Sequence, residues 1–279
     1  MLETLKAGLI GAHIENSRFG AAIRMVGAAH GVSVEFEHFD VAHIDGFDFA
    51  ATVRDLTDRG WTGVTVTHPH KIDAMALADR RFGVPAALAS ANTLIFRDGI
   101  EATNTDYTGF RAMWTEAMGA APPGRVAMAG AGGVARSIAA ALDEAGAEEI
   151  AVWDKTPGAA ARLASEIGGV VRAVQATEAP ALIAAADGLV NATPLGMAAH
   201  PGSVYDRDAL GPQKWLFDAV YAPRPTQLAD EAADAGLTCL TGHDLFRHML
   251  LGSFEFYSGV SPDRAALLPR LKALTEGRA

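Results

Sequence analysis

The 279-residue chain has a single cysteine, Cys239. One thiol excludes an internal disulfide and cannot by itself supply a thiolate metal centre, so nothing in the chain calls for an oxidising compartment. Basic residues are in the minority, 23 against 33 acids, for a formal charge of −10. That balance argues against a nucleic-acid partner, which requires a clustered positive surface. No apolar run approaches the roughly 20 residues needed to cross a bilayer, so no membrane partner is expected. The opening residues Met1–Ala7 carry an early acid and lack the basic start of a signal peptide, which points to a cytoplasmic protein. Nor is there a repeat, a low-complexity tract or a coiled-coil pattern. Monomer and homodimer are both compatible with that.

What is present is globular composition, 49% hydrophobic and 20% charged, arranged as short apolar runs alternating with longer amphipathic ones. Strands are expected at Ala7–Ile10, Val32–Phe36, Val64–Val66, Thr93–Phe96, Val126–Ala129, Ile150–Trp153, Gly169–Ala173, Gly188–Asn191 and Leu216–Ala219. Helices are expected between most of them, at Arg18–Ala29, Ala50–Arg59, Tyr107–Met118, Val134–Ala145, Gly158–Glu166, Ala179–Ala186 and Gln227–Ala235. Strands spaced by helices of this length read as βαβ units with parallel sheets, an α/β fold. The stretch 119–124, Gly-Ala-Ala-Pro-Pro-Gly, suggests a boundary because two prolines interrupt the helical pattern. Two final helices, Gly242–Gly259 and Ser261–Leu274, are expected to pack back on the first half.

The strongest local motif is Gly130-Ala131-Gly132-Gly133-Val134-Ala135, placed between an expected strand and an expected helix. Its glycines permit a tight turn and close approach of the backbone to a pyrophosphate at the helix N-terminus. Asp154 ends the next strand, 24 residues beyond Gly130 (154 − 130), near the spacing of a carboxylate that grips ribose hydroxyls. A carboxylate there suits NAD and repels the 2′-phosphate of NADP, so NAD is expected ahead of NADP. Lys155 next door could offset that repulsion, and Asp154 could instead cap the helix after Pro157.

Three further segments gather small polar residues at strand ends, where α/β folds build their sites. They are Val66-Thr67-His68-Pro69-His70-Lys71, Ser90-Ala91-Asn92-Thr93 and Thr103-Asn104-Thr105-Asp106. One lysine, one aspartate and two asparagines can orient a small polyhydroxylated molecule. Each also has a plain alternative: Asp106 a helix cap, Lys71 a solvated charge, Asn92 a turn residue. The nine histidines show no metal-ligand spacing, and no metal is expected.

These segments, in this order, resemble the shikimate/quinate dehydrogenase family over nearly the whole length. The resemblance rests on Gly63-Val64-Thr65-Val66-Thr67-His68-Pro69-His70-Lys71, Ala91-Asn92-Thr93 and Thr103-Asn104-Thr105-Asp106. It continues through the glycine loop, Asn191-Ala192-Thr193-Pro194-Leu195-Gly196-Met197 and Asp218-Ala219-Val220-Tyr221-Ala222-Pro223. It implies a two-domain α/β protein: an N-terminal substrate domain, a Rossmann-type NAD(P)-binding domain, and a cleft between them. The domains are expected at 1–106, with 242–279 packing back on it, and at 107–241. Lys71 and Asp106 would form the catalytic pair, Lys71 as acid/base and Asp106 as its orienter. Asn92, Thr67 and Tyr221 would contact a small cyclic hydroxy acid. Alongside the glycine loop (Gly130, Ala131, Gly132, Gly133 and Val134), Asn191, Thr193, Met197, Ala219 and Gly242 would approach the cofactor.

The departures from the pattern are informative. In Gly11-Ala-His-Ile-Glu-Asn-Ser17-Arg18-Phe19-Gly20 the first hydroxyl of the substrate-carboxylate motif survives as Ser17. Phe19 stands at the second hydroxyl and Gly20 at the proline. A bulky ring would thus enter the substrate site, with Arg18 a replacement only if its side chain turns inward. Thr65 replaces a usual asparagine and Met249 a usual glutamine that bonds a ring hydroxyl. Asp154-Lys155-Thr156 stands where asparagine-arginine-threonine is usual. The chemistry and the cofactor half are retained, and the substrate-reading residues are altered.

Overall fold

The structure is a computed structural model that describes residues 4–221 and 225–275. The chain divides into two compact units, 1–109 with 246–279, and 110–245.

The first unit opens with β1 (Thr4–Gly11), α1 (Phe19–Ala29), β2 (Ser33–Asp40) and α2 (Phe49–Asp58). It continues with β3 (Gly63–Val66), α3 (Lys71–Leu77), β4 (Arg80–Arg81), β5 (Thr93–Arg97), β6 (Gly99–Thr103) and the start of α4 (Thr105–Met118). Its six strands run in the order β2-β1-β3-β5-β6-β4. Here the expectation of a parallel sheet needs correction: β3 pairs antiparallel with β5, and β5 antiparallel with β6. β5 and β6 are joined by a tight hairpin at Asp98–Gly99, and Gly99 has φ +109. With only Asp98 between the two strands there is no room for the crossover helix that parallel pairing needs.

The second unit holds the rest of α4, then β7 (Arg125–Ala129), α5 (Gly133–Glu144), β8 (Glu149–Trp153), α6 (Ala159–Ile167) and β9 (Val171–Ala173). It continues through α7 (Ala179–Ala185), β10 (Gly188–Asn191), β11 (Trp215–Asp218), α8 (Gln227–Asp234), β12 (Thr238–Thr241) and the start of α9 (Gly242–Ser258). The sheet order is β12-β11-β10-β7-β8-β9, every pair parallel. Read from β9 this is third-second-first-fourth-fifth-sixth, the doubly wound dinucleotide-binding order, with the reversal between β7 and β10. The proline-rich stretch 119–124 is a loop inside this unit, joining α4 to β7, and not a boundary between units.

The remainder of α9 and all of α10 (Arg264–Thr275) belong to the first unit. Leu250, Leu251, Phe254 and Tyr257 of α9 and Leu267, Leu268 and Leu271 of α10 share one buried cluster with Leu5, Ala7 and Leu9 of β1 and Ile23 and Val26 of α1. Their spacing of three and four places one apolar stripe of each helix against the sheet. The other sheet face packs on α2 through Phe49, Val53 and Leu56, with Ile10, Val64, Val66 and Trp61.

Phe19 belongs to this core. It begins the stripe Phe19, Ala22, Ile23, Val26 and is 1% exposed. Its ring stacks on Phe36 at 5.6 Å between centroids and meets Phe246 edge-on at 6.1 Å. Where the motif position suggests a ring facing the substrate, the structure packs Phe19 in the core. The first turn of α1 aims the residue at the sheet, where burial of a phenyl ring is favourable. Arg18 does not turn inward either. Its Nη1 donates to the Leu274 carbonyl at 2.5 Å, at the C-terminal end of α10, where a cation offsets the helix dipole.

Candidate active site

At the carboxyl end of β3 the chain turns through Thr67–His70 into α3, whose first residue is Lys71. β1 runs so close that a Cβ on Gly11 would lie 2.2 Å from Thr67 Cγ2, and the Ala12 N–H donates to the His68 carbonyl at 2.9 Å. The loop that carries Ser17 is therefore held against the segment that carries Thr67. Ser17 is half-buried, and its Oγ accepts from the Phe19 N–H at 3.3 Å.

β6 ends at Thr103 and α4 begins at Thr105, with Asn104 as the cap: its Oδ1 accepts the Tyr107 N–H at 3.1 Å. Because Asn104 caps the helix, Asp106 is free of that task. Lys71 Nζ donates to Asp106 Oδ2 at 2.5 Å. The two side chains are 17% and 7% exposed, so Lys71 is no solvated surface charge. A desolvated ion pair of this kind is costly to bury and costlier to break from one side.

Asn92, 1% exposed, is bonded to Thr105, the residue before Asp106. Its Oδ1 accepts the Thr105 N–H at 2.6 Å, the Thr105 hydroxyl at 3.0 Å and the Thr93 hydroxyl at 3.0 Å. A backbone N–H requires an oxygen opposite it, so the amide orientation is fixed. Nδ2 is left with no partner among the described residues. Thr105 also lies 3.4 Å from Ser253 Oγ on α9. Thr65 is buried, and its hydroxyl pairs with Tyr257 OH at 2.8 Å. Met249, two helical turns before Tyr257, is partly buried against the α1/α9/α10 core, and its backbone closely opposes Gly109, three residues beyond Asp106.

The predicted cofactor residues gather at the carboxyl edge of the second sheet. Gly130 follows β7 with φ +98, and a Cβ there would lie 2.6 Å from the Ala192 carbonyl. Only glycine fits this crossing of the β7 and β10 loops at the point where strand order reverses. Ala131, Gly132, Gly133 and Val134 lead into α5, and nothing lies within 4 Å of a Cβ built on Gly132. Arg136, which sequence reasoning missed, donates from Nη1 to the Ala131 and Gly132 carbonyls at 3.2 and 3.1 Å and pairs through Nε with Glu166 at 2.8 Å. It occupies the loop carbonyls while the α5 N-terminal N–H groups remain for an anion.

Asp154 directly follows β8, and Oδ2 accepts the Ala131 N–H at 2.7 Å while Oδ1 accepts the Thr156 N–H at 2.7 Å. Burial pushes its carboxyl up, but the Thr156 and Ala131 N–H groups outweigh that and hold it below the usual carboxylate range. It remains an anion with lone pairs to spare. Lys155 is exposed beside it.

Asn191, at the end of β10, accepts from the Thr193 N–H and hydroxyl at 3.0 and 2.7 Å and donates to the Leu195 carbonyl at 3.0 Å. A Cβ on Gly242 would lie 2.5 Å from the Ala219 carbonyl and 3.0 Å from Tyr221 Cβ, which brings the β11 and β12 loops together. Met197 and Tyr221, 40% and 43% exposed, are the large apolar side chains left open among the described residues of this unit. Ala222 and Pro223 of the last motif lie outside the described residues. Among the described residues no group of three or more His, Cys, Asp or Glu could hold a metal. His70 instead pairs with Asp73 at 2.8 Å and stacks on Phe49. No described helix is long and apolar enough to cross a membrane.

A doubly wound sheet with a glycine turn at its switch point, together with a buried lysine–aspartate pair, defines the class: a nicotinamide-nucleotide-dependent oxidoreductase. A family model described as shikimate dehydrogenase substrate binding domain matches residues 9–94, and one described as shikimate/quinate 5-dehydrogenase matches residues 116–199. A quinate/shikimate dehydrogenase (NAD(+)) of Corynebacterium efficiens is 34% identical over 94% of this chain and 95% of its own. A shikimate dehydrogenase (NADP(+)) of Cereibacter sphaeroides is 37% identical over 94% of this chain and 96% of its own. Among solved structures, the quinate dehydrogenase of Corynebacterium glutamicum in complex with NAD superposes with TM-score 0.90 at 31% identity, covering 97% of this chain and 99% of that one. The chain belongs to the shikimate/quinate dehydrogenase family.

Proposed function

We propose that the chain is an NAD-dependent dehydrogenase that interconverts a ring secondary alcohol and ketone of a cyclohexane or cyclohexene carboxylate, of the quinate or shikimate type. The observation that carries this reading is the Lys71–Asp106 pair at 2.5 Å beside the unpaired amide Nδ2 of Asn92. When bound, NAD supplies the hydride acceptor. The amine form of Lys71 takes the hydroxyl proton as hydride leaves the same carbon, with Asp106 holding Nζ in register. In the reverse direction the Lys71 ammonium returns that proton to the alkoxide oxygen. Asn92 Nδ2 donates to a ring oxygen, and Ser17 and Thr67 supply hydroxyls at the same strand ends. Met249 offers a thioether where a ring hydroxyl has no hydrogen-bonding partner.

Relatives named for NAD and for NADP lie at similar identity, so overall likeness does not choose between them. Asp154 does. Its ionised carboxylate at the end of β8 accepts ribose hydroxyls and repels a 2′-phosphate. Replacing Asp154 by serine is expected to lower the NAD-over-NADP preference in kcat/KM roughly a hundred-fold, for about 2–3 kcal/mol of lost repulsion. An unchanged ratio would mean that Asp154 serves only the glycine loop. The reading as a whole is tested by absorbance at the reduced-nicotinamide band, with quinate or shikimate and either nucleotide in parallel. NAD-linked turnover on either acid is the expected result. Silence on both acids, with NAD bound, would sink the substrate assignment.

A further inference from the structure

Asp218 closes β11 and takes no part in the chemistry above, yet it is 1% exposed, among the most deeply buried carboxylates of the chain. Its Oδ1 accepts Asn191 Nδ2 at 2.9 Å and the Val220 N–H at 3.1 Å, and its Oδ2 accepts the Thr226 hydroxyl at 2.6 Å. One side chain thus joins the end of β10, the turn after β11 and the N-cap of α8, where Thr226 also accepts the Ala229 N–H at 3.1 Å. Burial pushes its carboxyl up, against the pull of the Thr226, Val220 and Asn191 donors.

The two loops that Asp218 fastens carry the unit's exposed apolar side chains, Met197 after β10 and Tyr221 after β11. Open apolar surface at the carboxyl edge of a doubly wound sheet suits a flat, weakly polar ring. The adenosine end is built around the Gly130 turn and Asp154, none of which is hydrogen-bonded to Asp218. Gly130 packs against Ala192 and Thr193 of the loop after β10, so the two halves share that one crossing and are otherwise fastened by different carboxylates, Asp154 and Asp218.

We propose that Asp218 is a positioning residue for the nicotinamide end of the cofactor. It holds the Asn191–Met197 and Ala219–Tyr221 loops at the spacing a nicotinamide ring requires, and it leaves the adenosine end to the glycine turn. This rests on the reading of the site as an NAD site.

The test compares dissociation constants for NADH and ADP-ribose, which lacks the nicotinamide, on the full-length protein. If the wild-type chain binds neither, the NAD reading itself fails, separately from this one. Asp218→Ala is expected to weaken NADH about ten-fold or more, because the loops after β10 and β11 lose the carboxylate that fixes their spacing. ADP-ribose should stay within about two-fold in the same variant, a split that a merely structural role would not produce. Thr226→Val removes the Oδ2 partner together with the α8 N-cap bond to the Ala229 N–H, leaves both Oδ1 bonds in place, and should move the two ligands apart in the same sense, more weakly, which keeps the test open if the alanine variant does not fold. Asp218→Asn keeps Oδ1 accepting Asn191 and Val220 and reverses the third bond, Nδ2 donating to the Thr226 oxygen, and should keep NADH binding close to wild type. Equal weakening of both ligands, unchanged NADH affinity in Asp218→Ala and Thr226→Val, or an asparagine variant as weak as alanine would each overturn the proposal.

Discussion

Replacing Lys71 by methionine is expected to lower kcat by roughly 10²–10⁴-fold, the range lost when a positioned acid/base is removed. Methionine keeps most of the side chain's length, so the change removes the ammonium while preserving the packing of its stem. Asp106 then stands 7% exposed without its cation. The first unit should therefore also lose stability, since a buried charge stripped of its partner costs about 3–5 kcal/mol. On the proposed function NADH binding rests on residues of the second unit and should persist, measured by fluorescence of the bound reduced nucleotide. Turnover within ten-fold of wild type would remove Lys71 from the proton transfer. A companion Asp106→Asn variant keeps a hydrogen-bonding oxygen beside Nζ and should lose less, because position is retained while the anion is lost.

Phe19→Ala should act on stability and leave substrate binding alone. The ring is buried between Phe36, Phe246 and the α1/α9/α10 cluster. Truncating a core phenylalanine costs about 3–5 kcal/mol through lost transfer energy and the cavity that remains. That corresponds to a fall of roughly 6–20 °C in Tm for a protein of this size. KM for the cyclic acid should change less than about three-fold, under the 1.4 kcal/mol that a ten-fold change requires. Ser17→Ala, on the loop held against Thr67, should show the reverse: Tm nearly unchanged and KM raised. A Phe19 variant with intact Tm and a shifted KM would return the ring to the substrate site.

Sequence pattern served best where structure is local. The βαβ alternation, the Gly130 turn and the placement of Asp154 after β8 are read from nearest neighbours, and each needs only a period or a spacing. The β5–β6 hairpin was not legible in this way. β6 reads Gly-Ile-Glu-Ala-Thr, whose alternation rests on only two apolar residues, Ile100 and Ala102, and its strand character comes from pairing with β5. β12 and the two-residue β4 were missed for the same reason. The helix α3 was missed because it is seven residues long and begins at the very lysine that drew attention as a site residue.

The roles of the polar residues divide along the same line. Sequence left Asp106 suspended between helix cap and site residue, and the structure gives the cap to Asn104 because its Oδ1 reaches the Tyr107 N–H. It left Asp154 between ribose ligand and cap, and the carboxylate meets Ala131 and Thr156 with lone pairs remaining. For Phe19 the motif position and the helix face point different ways, and the structure follows the helix face. The stripe Phe19, Ala22, Ile23, Val26 was present in the sequence and pointed to the core.

By itself, then, the sequence determined the α/β class, the nucleotide-binding turn and the residue types available for alcohol oxidation, since periodicity and short motifs encode these over a few residues. Tertiary structure alone decided which of those residues meet. Lys71 and Asp106 are 35 positions apart and touch because β3 and β6 end at the same edge of one sheet. Asn191 and Asp218 are 27 apart and meet because β10 and β11 are parallel neighbours in register. Strand order and register are set by the burial of whole sheet faces, a property of the folded chain that no local spacing carries.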